Sequence, residues 1–206
     1  MSPDDWRDRA YVLNTRPCLN FLGIDRLDVL SAVLGQKVYV SPTVLDEIRG
    51  HSDWSSGDLR RRVRREPEMV EAEEVAYIDN LSRWNTRLGA PHIRMVSWPT
   101  PTELRIVEGY RRAGALDPGE SEVLAIAKNR LWVAVIDEMP GHCLAEDEGI
   151  ANASTLEILV QGVTAGIIDE SSASDAWRDM QRWWERAPWG ELTGYLHGRP
   201  IWRPCP

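Results

Sequence analysis

Positive charge is scarce in this chain: 24 Lys and Arg face 32 Asp and Glu, for a formal net charge of -8. A protein that held nucleic acid by charge alone would be basic, so contact with a polyanion would need a local basic patch or metal ions. The three cysteines, Cys18, Cys143 and Cys205, include no CxxC pair. Their odd number argues against a zinc site or a disulfide framework and suits a reducing, cytoplasmic setting. There is no GxGxxG and no GxxxxGK[ST] anywhere, which removes the usual support for a small-nucleotide fold. Apolar runs are short, far below the roughly 18 residues that suggest a membrane span. The first residues, MSPDDWRDRAYVLN, carry acids where a signal peptide has a basic segment. No membrane partner is expected.

With 206 residues, 43% hydrophobic and 27% charged, the chain can bury a full core as one domain with an elaboration or a tail. Tyr11 to Asn14 reads as a short buried strand, and Thr15, Arg16 and Pro17 as the turn that ends it. Leu19 to Val33 recur at helical spacing with Gly35 as a stop. Lys37 to Val40 is a second strand, and Ser41-Pro42 opens a helix through SPTVLDEIRG. The regular pattern resumes at Leu116-Asp117-Pro118-Gly119-Glu120, a cap leading into ESEVLAIAKNR. Leu131 to Ile136 is the clearest buried strand, ending at Asp137 and Glu138. The segments CLAEDEG, IANAS, TLEILVQGVTAG and Ile167-Ile168-Asp169 continue the alternation. Such alternation predicts a mostly parallel sheet flanked by helices, with ligands beyond the carboxyl ends of its strands.

Residues 51–115 break the pattern. A polar stretch, His51 to Asp58, leads to the basic run Leu59 to Arg65 and then to the acidic Glu66 to Glu74. Val75, Ile78, Leu81, Trp84 and Leu88 keep helical spacing, Ile93 to Trp98 suits a strand, and a helix is expected through Glu103 to Ala113. The tail holds Trp177, Trp183, Trp184, Trp189 and Trp202. Aromatics at that density are expected to pack on the domain or on a partner chain, ahead of base stacking.

The polar residues that end strands or open helices are mostly acids: Glu47, Glu120, Glu122, Asp137 and Glu138, with Asn14 after the first strand. Carboxylates gathered at one sheet edge either hold Mg²⁺ or Mn²⁺ or suffer raised pKa values. Two such ions can activate a water and stabilise the leaving oxygen in phosphodiester cleavage. Each acid also has an ordinary reading. Glu47 and Glu122 suit a solvated helix face, Glu120 suits the positive end of a helix, and Asp137 suits a turn. The run Arg60, Arg61, Arg62, Arg64 and Arg65 is the best candidate for phosphate contact, against a solvated helix face paired with nearby acids. His51, His92 and His197 have no partner at ligand spacing.

YVLNTRPCLNFLGIDRLDVLSAVLG, KVYVSPTVLDEI, LDPGESEVLAIAKNRLWVAVIDEMPGHCLAEDEGI and STLEILVQGVTAGIID resemble, in order and spacing, PIN-domain proteins related to toxin ribonucleases of the VapC kind. The resemblance covers about residues 10–50 and 115–170. It implies an α/β fold of three layers, α/β/α, over residues 10–170, with a helical insertion at about 51–115 and a Trp-rich extension over 171–206. It implies metal-cluster carboxylates at Glu47, Glu120 or Glu122, and Asp137, with Mg²⁺ or Mn²⁺ as cofactor. An RNA or DNA substrate, an antitoxin or other partner protein and a homodimer follow as expectations. Asn14 falls where the first aspartate of the motif belongs, in Asn14-Thr15-Arg16-Pro17-Cys18. An amide ligates through its oxygen but adds no charge, so metal affinity should fall. A naturally weakened or inactive domain, a shifted cluster, or an aspartate replaced to disarm a toxic nuclease each fit. Arg16 replaces a small polar residue of the motif, and His142 stands where the family often has arginine.

Overall fold

The structure, a computed structural model, describes residues 3–65, 71–87, 93–97, 99–114, 116–183, 192–198, 201 and 205. Along the chain run α1 (Pro3–Asp8), β1 (Tyr11–Leu13), α2 (Thr15–Gly23), α3 (Leu27–Leu34), β2 (Val38–Val40) and α4 (Pro42–Arg65). There follow α5 (Ala72–Ser82), α6 (Trp84–Arg87), β3 (Arg94–Met95), α7 (Pro101–Ala113), α8 (Pro118–Arg130) and β4 (Val133–Val135). The last elements are α9 (Met139–Asp147), β5 (Asn152–Ala153), α10 (Thr155–Thr164), α11 (Glu170–Arg182) and α12 (Leu192–Leu196).

The strands form one five-stranded sheet in the order β3-β2-β1-β4-β5, and every pairing is parallel. Tyr11, Val12 and Leu13 pair with Val38 to Val40 on one side and with Val133 to Val135 on the other. Both central strands are wholly buried, as expected of a parallel sheet covered on both faces. All carboxyl ends therefore point the same way, and Asn14, Ser41, Asp137 and Ser154 follow them along one edge.

Several local expectations give way to capping chemistry. The turn expected at Thr15 to Pro17 is the first turn of α2, with Asn14 as the residue before the helix; Pro17 is tolerated there because early helical N–H groups have no intrahelical acceptor. The single helix expected over Leu19 to Val33 is two, parted at Ile24 to Arg26, where Asp25 takes a left-handed φ of 58°. The helix from Pro42 runs unbroken through the polar stretch and the arginine run to Arg65. Leu131 does not enter β4: it caps α8 in a left-handed conformation and is 91% exposed. Ile167 and Ile168 form no strand but pack against the core after α10, and Asp169 caps α11. Leu88, His92, Trp98, Trp184, Trp189 and Trp202 lie outside the described residues.

Of the tail tryptophans, Trp177 is buried and Trp183 stacks on Tyr77 of α5 with ring centroids 4.7 Å apart. Cys143 and Cys205 are joined by a disulfide, against the expectation from the odd count; the unpaired thiol, Cys18, is buried in the core. The cysteine count therefore lends no support to a reducing compartment. No helix among the described residues is long and apolar enough to cross a membrane.

Away from the carboxyl edge, α7 is locked to α8 by one buried acid. Glu103 closes the capping box with Thr100 and accepts a bidentate pair from Arg130 at 2.6 and 3.0 Å, plus Asn129 at 3.1 Å. Burial alone would raise its pKa; the bonds from Arg130, Thr100 and Asn129 overcome that and hold it at about 2. The stabilisation is thus complete above the ordinary value of 4.5 and fades as pH falls toward 2. Glu103→Gln should cost roughly 3 kcal/mol at pH 7, and denaturant titrations should show the gap to wild type closing between pH 5 and pH 2.

Candidate functional site

The centre of the site lies where β1 and β4 end side by side. Asn14 is 1% exposed, and its Nδ2 donates to Glu138 Oε2 at 3.2 Å while its Oδ1 has no hydrogen-bond partner. Asp137, 5% exposed, accepts from the Thr155 amide at 2.7 Å, the Thr155 hydroxyl at 2.6 Å and Asn20 Nδ2 at 2.9 Å. Asp137 thereby ties the end of β4 to the first turn of α10 and to the middle of α2.

Two helices deliver the other acids. Glu47 on α4 accepts from the Thr15 hydroxyl and, at 3.0 Å, from the Gly119 amide. A Cβ on residue 119 would press into both Glu47 carboxylate oxygens, so the glycine of the Gly-Glu motif is what lets α4 and α8 meet here. Glu120 closes the capping box with Asp117 through Oε2, while Oε1 is buried and without a partner. Glu122, also buried, accepts from the Thr43 amide at 3.1 Å, serving the first turn of α4, and its charge acts on Glu47. Glu120 and Glu122 thus both lie within electrostatic reach of Glu47, each with its own backbone donor.

Crowding shows in the protonation equilibria. Burial, then the charges of Asp117, Glu138 and Glu47, raise Glu120 to about 7, with the Asp117 amide opposing. Burial, then Glu138, raise Asp137 to about 7 despite its Thr155 bonds and the charge of Arg16. Glu47 and Glu138 are raised as well, in each case first by burial. Arg16, half-buried on α2, is the cation whose charge favours ionised Asp137 and Glu138.

Other expected residues lie apart. The His142 ring nitrogen Nδ1 is 2.8 Å from Asn152 Oδ1, and its amide donates to the Glu138 carbonyl, so its ring is turned toward β5. Arg61 is exposed and pairs with Asp58 at 3.3 Å, and Arg65 is exposed. The side chains of Arg60, Arg62 and Arg64 lie outside the described ones. At 1.5 Å per residue, the arginine run is roughly 20 Å or more along α4 from Glu47, so it does not join the acids.

Sequence reasoning missed Thr15, Asn20 and Thr155. Thr15 and Thr155 obey the same rule that picked out the acids, since each opens a helix just past the end of a strand. Asn20 carried a different signal, a polar residue among buried apolar ones on α2.

Oxygen donors in excess, two of them bare and buried, fit a hard divalent cation by ligand chemistry. Among the described residues, however, no three Asp, Glu, His or Cys side chains converge on one point. Asp137, Glu47 and Glu122 are turned to protein donors instead.

The sheet is wholly parallel, and Glu120, Asp137 and Glu138 stand near one another beyond its carboxyl edge. A family model described as a PIN domain matches residues 67–186, more than half of the chain, and the chain belongs to that family. The match contains Glu120, Glu122, Asp137, Glu138 and His142 and begins after Asn14, Arg16, Glu47 and the arginine run. No curated protein matches the chain.

Because Glu120 and Asp137 are raised from ordinary values of 4.5 and 3.8 to about 7, the fold favours their protonated forms. Their contribution is complete below about pH 4 and is lost as pH rises through 7. In EDTA, melting temperature should fall between pH 5 and pH 8; Mn²⁺ should restore more of it at pH 8 than at pH 5. Glu120→Gln should flatten the EDTA profile, and an unchanged slope would show that this acid is not crowded.

Proposed function

We propose that the chain is a Mg²⁺- or Mn²⁺-dependent endoribonuclease of toxin-antitoxin or related defence type, kin to the VapC branch of PIN domains and weakened at position 14. The supporting observation is the set of buried acids at the carboxyl edge, with unpartnered oxygens on Asn14 and Glu120. A divalent ion bound there would supply an activated water and charge for the leaving oxygen. Glu47, Glu120, Glu122, Asp137 and Glu138 are the acids that would hold it, Glu122 acting on Glu47. Thr15 and Gly119 orient Glu47, while Asn20 and Thr155 orient Asp137. Arg16, whose charge acts on Asp137 and Glu138, would be the cation to meet a substrate phosphate. The arginines of α4 would touch only a more distant part of a strand.

The deciding experiment restores the missing acid. Asn14→Asp protein with Mn²⁺ should cleave RNA, and adding Asp137→Asn should abolish cleavage. Failure of the Asn14→Asp protein to cut RNA or DNA would overturn the reading.

A second reading, a non-catalytic PIN domain that binds a partner protein, is favoured by the neutral Asn14 and by the lack of any three-acid convergence among the described residues. It requires calorimetry to find no divalent-ion binding and pull-down to find a stable protein complex. An antitoxin or a second copy of this chain would be the partner.

A further inference from the structure

We infer that the pocket between α2, α5 and α11 is a subsite for one unstacked guanine base of a single RNA strand, packed against Tyr77 and Trp183 and read by Asp179 and Arg182. The inference rests on the ribonuclease reading above and adds a base-recognising subsite to it.

The pocket has a volume of about 190 Å³ and lies at the far end of α2, against Gly23. Pockets for drug-sized ligands begin near roughly 300 Å³, so this one suits a single ring system. Its walls are held from several sides. A Cβ on residue 23 would collide with the Tyr77 ring, so glycine is what lets that ring lie against α2. Asn80 Nδ2 donates to the Gly23 carbonyl at 3.0 Å, fixing α5 to the same point. Trp183 stacks on Tyr77 with the ring planes 22° apart, which carries the end of α11 onto α5. Unlike the buried Trp177, Trp183 is only half-buried, so part of its ring is open to a ligand.

The chemistry of the rim separates base from backbone. Asp179 and Arg182 are exposed and stand three residues apart on α11, so they share a face. Among the described residues neither has an ion pair, whereas Arg178 and Asp175 on the same helix pair at 2.7 Å. A carboxylate repels a phosphate and accepts from N–H donors, so the pocket is matched to the edge of a base. Single-stranded RNA is read in this way, by unstacked bases held on aromatic rings and hydrogen-bonded along their edges. Guanine alone among the RNA bases offers adjacent N1–H and N2–H donors to one carboxylate, and its O6 and N7 are the acceptors that arginine takes.

The helix α2 links this pocket to the acids. Arg16 and Gly23 are about two turns apart along one face, roughly 10 Å of rise. Tyr77 spans part of that distance: its ring meets Gly23, and the charge of Arg16 acts on its phenol. A strand with a phosphate at Arg16 would bring a neighbouring base to the pocket.

The full chain is titrated in EDTA, where no cleavage intervenes, with fluorescently labelled RNA strands of adenosine that differ only at one central base. By anisotropy, the strand with guanosine should bind about tenfold or more tightly than those with adenosine, cytidine or uridine. Inosine, which lacks the N2 amino group, should lose most of the preference. Asp179→Asn should level the strands, and Arg182→Ala should reduce the preference; both residues are exposed, so these variants should melt as wild type does. Trp183→Ala should weaken the guanosine strand about tenfold or more. Equal affinity for all strands in wild type, or a guanosine preference that survives Asp179→Asn, would overturn the assignment. Free GMP binding as tightly as the strand would also overturn it, marking a free-nucleotide site instead. If Asn14→Asp cleaves RNA while wild type shows no guanosine preference, this inference alone fails. If the preference holds and Asn14→Asp cleaves nothing, the ribonuclease reading alone fails.

Discussion

Carboxylates brought together out of water are the constraint around which this fold is arranged. Parallel pairing of β1 with β4 puts Asn14 beside Asp137 and Glu138, and α4 and α8 add Glu47 and Glu120. Besides Arg16 and the side-chain donors, balancing partial charge comes from amides in the first turns of helices. Thr155 serves Asp137, Gly119 serves Glu47, and Thr43 serves Glu122. Each is an N–H that its own helix leaves unused, at the end where the helix dipole is positive. Three helix starts converge on one sheet edge, and their geometry decides which acids are satisfied and which are left with a bare oxygen.

Two glutamates at the same kind of position show how environment sorts acids into roles. Glu103 and Glu120 both close capping boxes in the first turns of adjacent helices, and both are buried. Glu103 meets Arg130 and is held ionised; Glu120 meets other acids and is pushed toward protonation. The first fastens α7 to α8. The second adds a crowded acid to the carboxyl edge of the sheet.

The strand-helix alternation and the parallel sheet were legible because the apolar runs YVL, VYV and VAV are flanked by caps and turns. The acids were legible for the same reason, standing where strands end and helices begin. What escaped were effects decided by tertiary contact. Pro17 resembles a turn residue until the helix has started before it, and Leu131 resembles a strand residue until it is needed to cap α8. The polar stretch from His51 shows no periodic signal strong enough to reveal that α4 continues through it. Which donors Glu120 and Glu122 meet depends on how α8 is turned against α4, and spacing alone does not carry that rotation. The disulfide was hidden because three cysteines do not say which one the core will take.

Cys143 lies six positions past Asp137, on the helix that leaves the site, and its bond to Cys205 closes a span of 62 residues. A loop of that size removes chain entropy from the unfolded state worth about 4 kcal/mol, a large share of the net stability of an ordinary domain. The segment at Cys205 is thus covalently fastened to α9, the helix that starts just after Asp137 and Glu138. Wherever thiols are kept reduced, that fastening is lost and the unfolded chain recovers its freedom. The lifetime of this protein in a cell would then follow the oxidant supply of its surroundings as well as its sequence.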